Sequence, residues 1–124
     1  MRRVWYAMLS AIRAAVAAIA VAHAGGQPVS GMRGYEGEPY AKIDVRVEGG
    51  VVDGYDNGGG CRINGTIPDL YQYCSGARIE FKPDGEGRYT GYDYSTGCRF
   101  EVRVSGRNAD VYDYCAGKRF YYAA

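Results

Sequence analysis

Residues 98–115 read CRFEVRVSGRNADVYDYC, with an alternating run on each side of a central turn. Apolar and charged side chains alternate through its first half, as they do in a strand that buries one face. Residues 105–108 are turn formers, and a second alternating run follows them. A hairpin that turns at the centre of this segment places Cys98 opposite Cys115. The stretch therefore predicts two antiparallel strands joined by a disulfide at their open end.

The same pattern occurs earlier in the chain. Both copies contain Gly-Tyr-Asp, then Gly-Cys-Arg, then Asp-x-Tyr-x-Tyr-Cys-x-Gly, beginning at Gly54 in the first copy and at Gly91 in the second. A period of about 40 residues is typical of four-stranded repeat units. We therefore predict two tandem repeats, at residues 42–77 and 78–122.

Alternating runs between turn signals predict nine short strands and no helix after residue 24. The strands cover residues 43–48, 51–56, 61–67, 70–74, 78–82, 88–94, 98–104, 110–115 and 118–122. Short sequential strands with tight turns favour an all-β antiparallel meander of eight or nine strands, closed as a small barrel or folded as a sandwich. The two-unit topology of βγ-crystallin domains has a similar period and is the alternative.

The first 24 residues differ from the rest and predict a cleaved export signal. They have a cationic start at Arg2-Arg3, an apolar stretch at 14–22, and small residues around His23 that match the A-x-A pattern of signal peptidase. We place the cut after Ala24 and expect a periplasmic or extracellular protein. The apolar stretch is shorter than the roughly 20 residues that span a bilayer, so we expect no membrane association after cleavage. The alternative is an N-terminal helix of the folded domain.

Cleavage after Ala24 changes the chemistry available to the chain. The full sequence has 15 Lys and Arg against 14 Asp and Glu, and three arginines, the only histidine and the only tryptophan lie in residues 1–24. The remainder lacks a Ser-His or Cys-His pair, a histidine metal site and a basic surface for nucleic acid. We therefore expect no enzyme, no cofactor, no metal and no nucleic-acid partner. Residues 25–39 are predicted to be a flexible leader, and residues 40–124 the duplicated β-domain.

Four cysteines in an exported chain of this size indicate a disulfide framework. The turn between each cysteine pair favours Cys61–Cys74 and Cys98–Cys115 over the two crossed pairings. A redox or zinc site requires a closer C-x-x-C spacing, which the chain does not have.

Strand parity predicts one unusual surface. If Phe100 and Val102 face the core, Arg99 faces solvent, and the hairpin register places the tyrosines of the paired strand on the same outer side. The candidate binding residues are Tyr55, Tyr71, Tyr73, Tyr92, Tyr94, Tyr112, Tyr114, Arg62, Arg99 and Arg103. Tyrosine and arginine are enriched in protein interfaces, and exposed aromatic rings also stack on sugars. Two alternatives are that these tyrosines serve only as strand formers, or that bulges shift the register and bury their rings in the core.

These features favour an exported, non-enzymatic binding or structural module that presents a Tyr/Arg-rich sheet face to a protein or glycan. Residues 75–78 (SGAR) resemble the Ser-Gly motif of small-barrel periplasmic lysozyme inhibitors, and this four-residue resemblance implies an inhibitor of an extracellular hydrolase. Another alternative is a small hydrolase with two carboxylates in a barrel mouth formed by the loops at 57–60 and 95–97. A third is an assembly protein that forms homo-oligomers through an unpaired edge at 118–122.

Overall fold

The computed structural model describes residues 7–124. One helix, α1 (Ser10–Gly25), precedes ten strands. The strands are β1 (Val29–Gly34), β2 (Ala41–Glu48), β3 (Val51–Asp56), β4 (Cys61–Thr66), β5 (Asp69–Gln72), β6 (Ala77–Pro83), β7 (Arg88–Asp93), β8 (Cys98–Ser105), β9 (Asn108–Asp113) and β10 (Lys118–Ala123). The cationic start of the predicted export signal, Arg2-Arg3, lies outside the described residues.

The strands form one closed antiparallel barrel. Each strand pairs with its neighbour in sequence, and β10 pairs with β1 to complete the ring. The predicted all-β antiparallel class is confirmed, and the barrel is the form it takes. The nine predicted strands correspond to β2–β10, whereas their division into two duplicated repeats remains a prediction. β1 covers the C-terminal half of the edge predicted at 118–122, since Gly34 pairs with Tyr122, and homo-oligomer formation through this edge remains a prediction.

β1 corrects the prediction that residues 25–39 form a flexible leader. Val29 and Met32 are buried in the core, and β1 pairs with both β2 and β10. Gly31, at φ +85°, lies where the pairing of β1 with β2 shifts register, between Ser30 and Met32. This irregularity interrupts the strict alternation by which a half-buried strand is recognised in a sequence.

α1 lies inside the barrel. Every residue from Ile12 to Ala22 is buried, on all sides of the helix, and α1 contacts β1, β2, β8, β9 and β10. Six of these eleven residues are alanines, and their small side chains let the barrel wall approach a helix that is usually about 10–12 Å wide. Cleavage after Ala24 remains a prediction, and residues 12–22 of the predicted signal are buried in the core of the uncut chain. Among the described residues no helix is both long and apolar enough to cross a bilayer.

Large side chains fill the part of the barrel formed by β6, β7 and β8. Phe81 stacks on Tyr89 with 4.9 Å between ring centroids, and 6.4 Å separates the centroids of Phe81 and Phe100. Gly91 faces Phe100 across the pair β7–β8, and a Cβ at residue 91 would collide with that ring. The absence of a side chain at Gly91 therefore makes the space that Phe100 occupies.

The disulfides are Cys61–Cys74 and Cys98–Cys115, as predicted. Both cross-links join hairpin ends on the same side of the barrel, which we call the disulfide end. All four cysteines are bonded, a state consistent with an oxidising, exported compartment.

Candidate binding surface

Four hairpin turns at the disulfide end share one local design. Each turn ends in a glycine with a positive φ, between 65° and 74°. Residues with a side chain rarely adopt this backbone conformation. Each begins with an aspartate or glutamine whose side-chain oxygen accepts hydrogen bonds from N–H groups of the turn. The accepting residues are Asp56, Gln72, Asp93 and Asp113, and the glycines are Gly60, Gly76, Gly97 and Gly117.

The buried aspartates show how tightly these turns are held. Oδ1 of Asp93 accepts a hydrogen bond from the Ser95 N–H at 3.0 Å, and Oδ2 accepts one from the Thr96 hydroxyl at 2.9 Å. Oδ1 of Asp113 accepts the N–H groups of Cys115 and the next residue, at 2.9 and 3.2 Å. The turns are therefore fixed from within, and they hold the outer side chains beside them in place.

A tyrosine directly precedes the aspartate or glutamine that begins each of the four turns, and it pairs across the hairpin with an arginine. The cross-strand pairs are Tyr55–Arg62, Tyr71–Arg78, Tyr92–Arg99 and Tyr112–Arg119. Because each pair spans two strands, tyrosine and arginine alternate on eight consecutive strands, from β3 to β10. The regular alternation places all eight side chains at one level of the barrel, next to the disulfide end.

In three of the four hairpins, a second tyrosine follows two residues after the first. The rings of Tyr71–Tyr73, Tyr92–Tyr94 and Tyr112–Tyr114 meet edge to face, with centroids 4.9, 4.6 and 4.7 Å apart. This is the favoured geometry for aromatic pairs, so each pair forms a fixed unit on the barrel surface. We call the seven tyrosines and four arginines together the tyrosine–arginine belt.

Arginines connect these aromatic pairs around the barrel. The guanidinium carbon of Arg78 lies 5.0 Å from the ring centroid of Tyr94, and that of Arg99 lies 5.7 Å from Tyr114. Arg119 reaches Tyr112 at 5.4 Å. Such contacts are within the range of cation–π attraction. The belt is therefore ordered by its own contacts before any partner arrives.

The belt faces solvent. Tyr73 is 56% exposed and Tyr114 51%, Tyr55, Tyr71 and Tyr94 are also exposed, and the remaining two rings are half-buried. The alternative in which shifted register buries these rings is wrong, because the observed pairing keeps them on the outer side.

One predicted site residue lies apart from the belt, and two belt residues were not predicted. Arg103 lies further along β8, where it forms an ion pair with Glu101 at 3.5 Å and lines an open groove of about 530 Å³ with Tyr121. Arg78 and Arg119 belong to the belt by contact but were not among the candidates. The signal that identifies them is the pattern Tyr-[Asp/Gln]-x₃-Gly-x-Arg, which occurs four times in the sequence.

Charges beside the belt are mixed. A groove of about 460 Å³ adjoins Tyr92 and Tyr94 and contains Glu80 and Lys82, which form an ion pair at 3.4 Å. On the side of the belt that begins at β3, the Ser30 hydroxyl and the Asn57 amide donate hydrogen bonds to Asp44 and hold the pKa of its carboxyl below the usual value. Within residues 7–124, Arg62 and Arg99 form no ion pair, so both guanidinium groups are available to a partner.

Residues of the alternative functions serve the turns. Ser75 of the inhibitor-like segment donates its hydroxyl hydrogen to Gln72 Oε1 at 2.6 Å. At the barrel mouth proposed for a hydrolase, the carboxylates of Asp56 and Asp93 accept hydrogen bonds from their own turns, and α1 fills the lumen. In the described part of the chain, Asp113 comes close to Cys98 and Cys115 in a metal-like cluster, but both sulfurs are in a disulfide and are not ligands.

Comparison of the chain with protein-family models, with curated proteins and with solved structures found no match.

Proposed function

We propose that this chain is an exported binding module whose tyrosine–arginine belt docks a protein partner that carries acidic side chains. The observation that carries the proposal is the alternation of exposed tyrosine and arginine on eight consecutive strands. With neighbouring strands about 4.8 Å apart, the belt follows about 34 Å of barrel surface. Because this arc runs around eight of the ten barrel strands, a single partner covers only part of it, and a protein interface of ordinary size buries about 800 Å² on each partner.

The chemistry of the belt favours a protein over a glycan. Guanidinium groups already lie over one face of the Tyr94, Tyr112 and Tyr114 rings, and a sugar that stacks on a ring needs a free face. The planar donors of Arg62 and Arg99 form no ion pair among the described residues, and they suit carboxylates on a partner. Because the belt is ordered by its own contacts, docking fixes few additional rotamers and costs little entropy.

Two disulfides support export, since such cross-links persist in oxidising compartments. They also cross-link the hairpins that carry much of the belt, which keeps the belt strands in register outside the cell.

Site-specific photo-crosslinking in the cells that produce the chain tests this function. A photoreactive phenylalanine replaces either Tyr73, in the belt, or Tyr121, an exposed tyrosine outside the belt that serves as the control. We expect an adduct from position 73 and not from position 121, and mass spectrometry of its digest should show peptides of a second protein. A second comparison uses two exposed arginines of β8: Arg99→Ala reduces the adduct, whereas Arg103→Ala does not.

Three results would contradict the proposal. Equal adducts from both positions indicate non-specific contact, and no adduct from position 73 indicates that the tyrosines only stabilise the strands. An adduct whose added mass is removed by glycosidases and contains no peptide of a second protein assigns the belt to a glycan.

A further inference from the structure

The centre of the barrel contains a second binding arrangement, separate from the belt. Its two partners are α1 and the inner barrel wall, which meet through both apolar packing and a buried cation site. In the part of the chain that the structure describes, every buried side-chain nitrogen and oxygen has a hydrogen-bond partner. The helix and the wall therefore satisfy each other's polar groups.

The cation site holds the guanidinium of Arg13. Two of its nitrogens, Nε and Nη2, donate to Glu38 Oε1 at 3.1 and 3.0 Å, and Nη1 lies 3.4 Å from Asp113 Oδ2. The ring of Phe120 covers the guanidinium at 3.7 Å, and the Tyr122 hydroxyl donates to Glu38 at 2.6 Å. Two carboxylates, an aromatic face and a phenol thus surround one positive charge, and Asp113 is fully buried.

Contacts at both ends fix the helix in one register. At the disulfide end the Met8 N–H donates to Asp113 Oδ2 at 2.7 Å, beside Arg13. At the other end His23 Nδ1 and the Tyr89 hydroxyl share a hydrogen bond of 2.6 Å, and their rings meet edge to face. A helix displaced by one residue would lose both contacts. Polar contacts as well as apolar packing therefore fix the position of α1 in the lumen.

The bond after Ala24 lies outside this arrangement. Residues 24–28 are exposed at the end of α1, whereas Ala22 is buried. All side-chain contacts that hold the helix lie on the N-terminal side of Ala24. A cut there would remove the covalent link between helix and barrel but none of the residues that make these contacts.

We propose that the barrel lumen is a binding site for an alanine-rich helix with one buried arginine, and that residues 8–24 stay bound there when the chain is cut after Ala24. The cation site explains why the segment stays. If the helix leaves, two buried carboxylates lose their cation and an apolar lumen opens to water. The N-terminal segment is thus a resident part of the protein, whether or not a peptidase cuts behind it.

A nicked full-length chain tests this inference. A specific protease site is inserted at the exposed residues 25–28, the folded, oxidised protein is cut, and the products are separated by native gel filtration and mass spectrometry. We expect the helical fragment and the barrel fragment to elute together in equal amounts and to separate only in denaturant. Arg13→Leu weakens retention by about 100-fold or more, whereas Ala11→Leu, at an exposed helix position, leaves it unchanged.

The same question is answered by the mass of the protein isolated from its native cells. We expect residues 8–24 to be present, either joined to the barrel or as a bound peptide. Release of the helix from the nicked protein, with or without aggregation of the barrel, would overturn the inference. A native, folded barrel that begins at Gly25 and carries no peptide would also overturn it, while leaving the belt proposal standing.

Discussion

Removing the charge of Arg13 is the perturbation to which this fold should respond most strongly. The Arg13 side chain is 7% exposed, Glu38 12% and Asp113 0%. Arg13→Leu leaves both carboxylates in a nearly dry site without a cation. Breaking a buried ion pair by removing one partner costs about 3–5 kcal/mol, a large share of the roughly 5–15 kcal/mol that stabilises an ordinary domain.

Equilibrium unfolding in urea, followed by far-UV circular dichroism, measures this loss. The matched control is Arg78→Leu, which removes an exposed ion pair with Asp69, whose side chains are 59% and 66% exposed. Pairs of that kind contribute about 0–1 kcal/mol. Arg13→Lys keeps the charge but lacks the planar fork that contacts Glu38, so its stability should fall between wild type and Arg13→Leu. If Arg13→Leu and Arg78→Leu lose equal free energies of unfolding, the buried site does not stabilise the barrel.

Three further perturbations test the core. Burial raises the pKa of the Tyr122 hydroxyl above 10, so this group deprotonates first in the unfolded chain and the folded state loses stability above about pH 10. Between about pH 9 and 11, the melting temperature of Tyr122→Phe should therefore fall less than that of the wild type. An equal fall in both proteins would contradict this. Replacing the Cys98–Cys115 pair by serines opens a loop with a separation of 17 residues and should cost about 3 kcal/mol in urea unfolding; a loss below about 1 would contradict it. Gly91→Ala forces a methyl group against the Phe100 ring and should lower the free energy of unfolding by about 1–3 kcal/mol. Gly25→Ala, with open space around it, should leave the stability measured in thermal melts unchanged. Equal losses of stability in the two variants would contradict this.

The sheet was predictable because its signal is local. Each strand from β2 to β10 alternates apolar and polar residues between turn formers, and the pairing register follows from hairpin geometry alone. The outward direction of Tyr112 follows from the same parity once Phe100 is placed inward. β1 was not predictable in this way because Gly31 interrupts the alternation that links Val29 to Met32.

The position of α1 was not predictable from its apolar composition. A helix that is apolar on all sides buries equally well in a bilayer, in a signal-recognition groove or in a barrel. What distinguishes the barrel is the pair of polar residues, Arg13 and His23, whose partners Glu38, Asp113 and Tyr89 are far away in sequence. No local pattern links these positions.

The belt was predicted in part. Its tyrosines follow from strand parity, and the structure places them outside, but two of its arginines were missed because the repeat was interpreted as two units of about 40 residues. The hairpin turn is the smaller unit that matters for the surface. Arg78 and Arg119 follow their turn glycines just as Arg62 and Arg99 do, so the four-turn pattern alone assigns all four.

The placement of the helix inside a ring of later strands sets the order of events during synthesis. Arg13 and Asp113 are 100 residues apart, so at about 5–20 residues per second the ribosome needs roughly 5–20 s to deliver the partner of an arginine already made. During that interval the helix is an apolar segment without its barrel, and any chaperone or targeting factor that recognises such segments can bind it first. The length of this interval depends on translation speed, so slowing elongation between β2 and β9 should favour capture.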